Sequence, residues 1–227
     1  MASNTLYHLA SREANLLGRQ KSLYSLAKLS ALASEETDSS VIEEINRKLE
    51  IISYQESLPQ VMQDDSPLSS FDVIERLTSS PAQSGDVAEN FKRALDLLMS
   101  ISDTMNGDDF YHWKTSIWIK AILMTDWSTL PEDAPLESAR NTPFFQTVKL
   151  VVTEVSEPSA YLPSINELLT APELRHCAQL TSFEYLLRAG MEKLTSLRRA
   201  STEGCDLANS SSDIILLNDS APMEQTA

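Results

Sequence analysis

Apolar residues recur at three- and four-residue steps along most of the chain, which is the period of an amphipathic helix. The first run is Leu6, Leu9, Leu16, Leu17, Leu23, Tyr24, Ala27 and Ala31, with Asn4 placed to cap it. Gly18 lies inside this run, where it costs about 1 kcal/mol against Ala and marks a point for a bend or break. Val41, Ile42, Ile45, Leu49 and Ile52 follow behind the capping pair Ser40 and Glu43. A short run at Phe71, Ile74 and Leu77 comes next, then Val87, Phe91, Ala94, Leu95, Leu98 and Ile101. Asp108 is read as the cap of a helix carrying Phe110, Trp113, Ile117, Ala121 and Ile122.

Asn141 and Pro143 open a segment through Phe144, Val148, Val151, Val152 and Val155. Its β-branched stretch suits a strand locally, but the cap and the four-residue spacing predict a helix. Three further capping pairs follow, Ser164 with Glu167, Thr170 with Glu173 and Thr181 with Glu184. They predict two short helices and one long one carrying Phe183, Leu186, Leu187, Met191, Leu194 and Leu197. A surface loop is expected around Pro131 and Pro135, and Pro158 and Pro163 are expected to stop the helix before them. After Arg199 the pattern collapses. The expectation is an all-α chain of seven to nine helices: an irregular, solenoid-like stack over residues 1–199, followed by a disordered acidic tail over 200–227.

Composition narrows the function classes. Apolar residues make up 42% and charged residues 22% of the 227, a globular balance. The net charge of −15 repels phosphate backbones and disfavours nucleic acid as a partner. Five glycines disfavour phosphate-cradling loops, and two cysteines make no disulfide framework, which fits a reducing compartment. The first ten residues lack the basic and apolar regions of a signal peptide. The most apolar stretch, 115–127, is broken by Lys120 and Asp126 and is too short to span a membrane.

Charge is unevenly placed: residues 1–34 sum to +3, 35–109 to −12 and 203–227 to −5. The basic N-terminal run either docks on the acidic stretch or presents a complementary patch to an acidic partner. Leu23, Leu26 and Leu29 spread wider than one stripe, so one face of that helix is expected to be left for a partner. Lys21, Tyr24 and Lys28 are its candidate contact residues.

Catalytic chemistry finds little support. His8, His112 and His176 are far apart, and Asp109 with His112 share a helix face without a nucleophile. His176 and Cys177 are adjacent and diverge on a helix. No cofactor, metal set or catalytic residue is assigned, and core packing is the favoured role of Trp113, Trp118 and Trp127. Two C-terminal strings are candidates for regulation. Arg198-Arg199-Ala200-Ser201 suits a basophilic kinase, with Ser201 as acceptor, although such strings recur by chance. Ile214, Ile215, Leu216 and Leu217, flanked by Ser212, Asp213 and Asp219, resemble a SUMO-interacting segment that adds a strand to a sheet edge. The plainer role for that island is docking back on the domain.

Several strings, in order, resemble the C-terminal helical domain of the 133-kDa nucleoporin family of the nuclear pore outer ring. They are residues 28–34 (Lys-Leu-Ser-Ala-Leu-Ala-Ser), 54–59 (Tyr-Gln-Glu-Ser-Leu-Pro) and 91–98 (Phe-Lys-Arg-Ala-Leu-Asp-Leu-Leu). Lys120-Ala121-Ile122 with Asp126-Trp127-Ser128, Tyr161-Leu162-Pro163 with Leu168-Leu169, and Phe183-Glu184-Tyr185 complete the set. The resemblance covers about residues 6–190, and the family's β-propeller and much of its stack have no counterpart here. It implies a structural role at the nuclear envelope, in the stem of the Y-shaped complex. The partner it implies is the C-terminal domain of the 107-kDa scaffold nucleoporin, with support of nucleocytoplasmic transport and mRNA export. A generic helical adaptor for peptides or partner helices, and an all-α enzyme, are the other classes the residues leave open.

Overall fold

The structure is a computed structural model that describes residues 2–34, 39–58, 65–79, 87–130, 135–180 and 182–210, with side chains described as far as residue 196. Among the described residues there is no strand. The helices are α1 (Ala2–Arg12), α2 (Leu17–Leu32), α3 (Ser39–Glu56), α4 (Ser70–Thr78), α5 (Val87–Ser100), α6 (Gly107–Leu123), α7 (Pro135–Ala139), α8 (Pro143–Glu154), α9 (Pro158–Tyr161), α10 (Ile165–Thr170), α11 (Arg175–Ala178) and α12 (Phe183–Ser210). These twelve, among the described residues, exceed the seven to nine expected, because short helices such as α7, α9 and α11 carry too few residues to show a period; eight are nine residues or longer.

Two apolar cores organise them. The small one gathers Ala10, Tyr24, Ala27, Ile45 and Ile52 from α1, α2 and α3. The large one runs from Leu58 to Met191 and is built mainly by α4, α5, α6, α8 and α12. Helix α3 joins the two: Ile45 and Ile52 face the small core, while Ile51 and Tyr54 pack on the large one. The buried Gln55 amide fixes the joint, donating to the Ser66 carbonyl (2.7 Å) and accepting from the Leu68 amide (2.9 Å). The Leu17 amide, at the start of α2, reaches the Asp65 carbonyl at 2.7 Å. Lys92 bridges Asp96 (2.9 Å) and Glu154 (3.3 Å) and so ties α5 to α8.

Rings that meet edge to face hold the large core. Trp118 meets Phe144 (5.5 Å between centroids), Phe144 meets Phe145 (5.0 Å), and Trp127 meets both Phe145 (6.3 Å) and Phe183 (5.0 Å). Both buried indole N–H groups are satisfied by backbone carbonyls, Trp118 by Tyr161 (3.0 Å) and Trp127 by Ile122 (2.9 Å). The valine-rich segment 148–155 is helical as the spacing predicts, since Thr142 caps α8 and Pro143 is its first residue.

Several local expectations shift. The N-terminal break falls at 13–16, where Glu13 accepts from the amides of Asn15 and Leu16, and Gly18 sits in the first turn of α2. The cap of α6 is Asn106, which accepts from the Asp109 amide at 2.7 Å, because Asp108 is already inside the first turn. Thr170 ends α10 rather than opening a helix; its hydroxyl donates back to Glu167. Thr181 lies outside the described residues. A reciprocal cap that the apolar pattern does not flag, Ser69 with Asp72, starts α4.

Helix α12 continues to Ser210, past the end expected near Arg199. No proline interrupts 200–210, and Ala200, Glu203, Leu207 and Ala208 are good helix formers without an apolar stripe. Residue 199 and Ser201 therefore both lie within a helix. Residues 211–227, with the Ile214 to Leu217 island, lie outside the described residues.

Gly190 makes the α8–α12 crossing possible. A Cβ there would meet Cε1 and Cζ of the Phe145 ring at 2.3 Å. Phe145 is fully enclosed and cannot swing away. Gly190→Ala is expected to destabilise by about 1–3 kcal/mol through overpacking, although Ala is the better helix former. Urea unfolding of Gly190→Ala, Phe145→Leu and the double variant checks this. The double variant should recover much of the alanine's cost, whereas additive costs would show that the two positions do not collide.

Candidate functional site

Helix α2 carries leucine around most of its circumference, so its phase is set by what packs on it. The inward positions are Tyr24, Ala27 and Ala31, all nearly inaccessible. The large aliphatics point the other way: Leu26, Leu29 and Leu32 are 52%, 63% and 60% exposed. At 100° per residue these three lie within 120° of one another, centred on Leu29, and Ser22 and Ser25 extend the same face toward the N-terminus. Lys21 and Lys28, seven residues apart, line one edge of it, and Arg19 lines the other. Scattered exposed leucines are ordinary. Three in register, on a helix whose buried side is alanine, form an outward apolar row.

The three sequence-assigned contact residues separate here. Lys21 is exposed, but its ammonium pairs with Glu56 of α3 at 2.6 Å. Lys28 is half-buried on the edge of the row and pairs with no carboxylate among the described residues. Tyr24 is a correction. It is 3% exposed, packs in the small core and shares a 3.2 Å hydrogen bond with the Ser11 hydroxyl, so it is a structural residue and offers no surface. Burial raises the Tyr24 phenol above its ordinary range. Its neighbour Tyr7, 5.7 Å away between ring centroids, is pushed up to about 12, first by burial and then by donation to the Glu44 carboxylate. Leu26 and Leu29 are exposed as expected, and Leu23 packs on the small core. Leu32 joins the row, which the sequence alone does not indicate because the end of α2 has no sharp signal.

The residues weighed for catalysis do not form a site. His8, His112 and His176 sit exposed on α1, α6 and α11. His112 lines a cleft of about 540 Å³ between α6 and α10 with Ile119, Leu123, Glu167 and Glu173, but the Lys120 ammonium at its wall is held by Glu75 at 2.6 Å. Burial pushes the Cys177 thiol up, which makes it a poorer nucleophile. Among the described residues no group of acids, histidines and cysteines is arranged to hold a metal ion. Also among them, no helix is long and apolar enough to cross a membrane.

These features define the molecule as an all-helical packing module with an uncovered apolar helix face. Its sequence relatives are nuclear pore proteins. The chain is 34% identical over 206 residues to the nuclear pore complex protein Nup133 of Danio rerio, 29% over 205 residues to that of Mus musculus, and 25% over 211 residues to that of Drosophila melanogaster. These alignments cover 84% to 86% of this chain and 16% to 18% of the relatives, so the chain resembles a part of Nup133 and spans under a fifth of its length. No family model matches the chain.

The opposite exposure of Tyr24 and Leu29 has a direct consequence. Tyr24→Ala should lower stability by about 3–5 kcal/mol, as for an enclosed aromatic ring, while Leu29→Ser should change it by under about 0.5 kcal/mol. Chemical denaturation of the two variants checks this, and equal losses would mean that Leu29 is packed in solution.

Proposed function

We propose that this chain is a scaffold segment of the nuclear pore complex, located at the nuclear envelope, that binds another scaffold nucleoporin through helix–helix contacts. The observation that carries the reading is the leucine row of α2, turned outward beside a fully formed core. The relatives, named as nuclear pore complex proteins, supply the setting. The partner is the C-terminal domain of the 107-kDa scaffold nucleoporin, and through it the chain supports nucleocytoplasmic transport and mRNA export. Leu26, Leu29 and Leu32 anchor the contact, because burying each removes apolar surface that water otherwise covers. Lys28 and Lys21 steer an acidic partner surface and contribute more to association rate than to residence time. The role is structural, without catalysis. The Ile214 to Leu217 segment is a secondary site for a SUMO-like partner by strand addition, and Ser201 a secondary acceptor for a basophilic kinase.

Binding of the purified 107-kDa partner domain to the full chain, followed by calorimetry, tests the proposal. Leu29→Asp should weaken it by roughly thirtyfold or more, about 2 kcal/mol, as for an interface anchor. Lys28→Asp should slow association and flatten its salt dependence. Affinity unchanged in both variants would place the interface on another face. Equal affinity for unrelated amphipathic helices would favour the generic adaptor instead.

A further inference from the structure

A second surface stands apart from α2 and from the reading above. Where α8 crosses α12, a cleft of about 530 Å³ opens. Three cations surround it: Arg140 from the turn between α7 and α8, Lys149 of α8 and Lys193 of α12. On a chain of net charge −15 such a grouping is unusual. Elsewhere among the described residues Arg19, Lys21, Lys92, Arg93, Lys120 and Arg188 pair with carboxylates, while other unpaired cations, Lys28 among them, line no cleft with two more. None of the three cleft cations is in an ion pair among the described residues.

The cleft is built on rigid parts. Phe145, packed against Gly190, brings the two helices together, and Lys149 and Lys193 each stand about one turn beyond that contact on their own helix. The Gln146 side chain donates to the Arg140 carbonyl at 2.7 Å, which fixes the backbone carrying the guanidinium to α8. Half-buried Leu194 and the edge of Phe145 give the cleft an apolar part.

We propose that this cleft docks an acidic peptide segment of a partner protein, one that carries an aliphatic or aromatic side chain among its carboxylates. The three cations meet the carboxylates, with Arg140 able to take one bidentately, and half-buried Leu194, backed by the enclosed Phe145, receives the apolar side chain. Charge complementarity decides the occupant. An acidic peptide brings a few charges to this cleft, whose lining holds three cations and no carboxylate, whereas a nucleic acid extends its phosphates beyond it over a chain of net charge −15. The site lies on α8 and α12, so it does not depend on what α2 binds.

The test uses the full chain and a short fluorescein-labelled peptide with aspartates and glutamates around a central leucine–phenylalanine pair. Anisotropy should show weak binding, with Kd near about 10 µM, falling as salt rises. Lys149→Glu with Lys193→Glu should weaken it at least tenfold at an unchanged unfolding temperature, while Lys48→Glu on α3 should leave it intact. Should the double reversal unfold the chain, Lys149→Gln with Lys193→Gln serves instead, with the same tenfold loss expected. No peptide binding, binding insensitive to these substitutions, or tighter binding of a single-stranded RNA or of anionic phosphatidylserine vesicles would each overturn the proposal.

Discussion

The body of this molecule depends on one line of rings, from Trp118 through Phe144, Phe145 and Trp127 to Phe183. Each ring belongs to a different stretch of chain or to the next position on α8, so their edge contacts fasten α6, α8, the turn at Trp127 and α12 to one another. Such contacts have preferred geometry, and they add to the burial energy of large apolar surfaces. They also impose a steric condition. Phe145 fits only because position 190 has no side chain, which links a single glycine on the last helix to the packing of the whole core.

With that core closed, the N-terminal three helices have a different character. Their own core is small, with alanines at the inward positions 10, 27 and 31. The aliphatic surface that would ordinarily fill such a core is turned out instead, at Leu26, Leu29 and Leu32. Joined to the body through α3 and the Gln55 amide, the module presents this row on a fixed support. A face of this kind is expected of a surface that another protein covers. The relatives that this part of the chain resembles are nuclear pore complex proteins.

Much of this was legible in the chain. The three- and four-residue spacing marked the long helices, and a cap followed by proline outweighed the β-branched preference of 148–155. The tryptophans Trp118 and Trp127 proved to be core, as their helical placement favoured. Tyr24 was misplaced for a physical reason. The apolar run already set it beside Ala27 and Ala31, which are inward, but leucines ring the helix, and packing against α1 and α3 decides that Tyr24 belongs with them and not with the outward leucines. Caps were legible as types but not as positions, since Asn106 and Asp108, or Thr142 and Asn141, differ by one or two residues and only backbone geometry chooses between them. The basic cleft could not be read at all, because Arg140, Lys149 and Lys193 come from distant segments and share no motif.

The central claim is that the outward leucine row of α2 is the surface a scaffold nucleoporin covers. Hydrogen exchange of the full chain, alone and saturated with the C-terminal domain of the 107-kDa nucleoporin, tests it most directly. The account predicts slowed exchange concentrated in α2 and the adjoining part of α1, with α8 and α12 unchanged. Protection confined to α6, α8 or α12, with α2 exchanging as it does in the free chain, would contradict it.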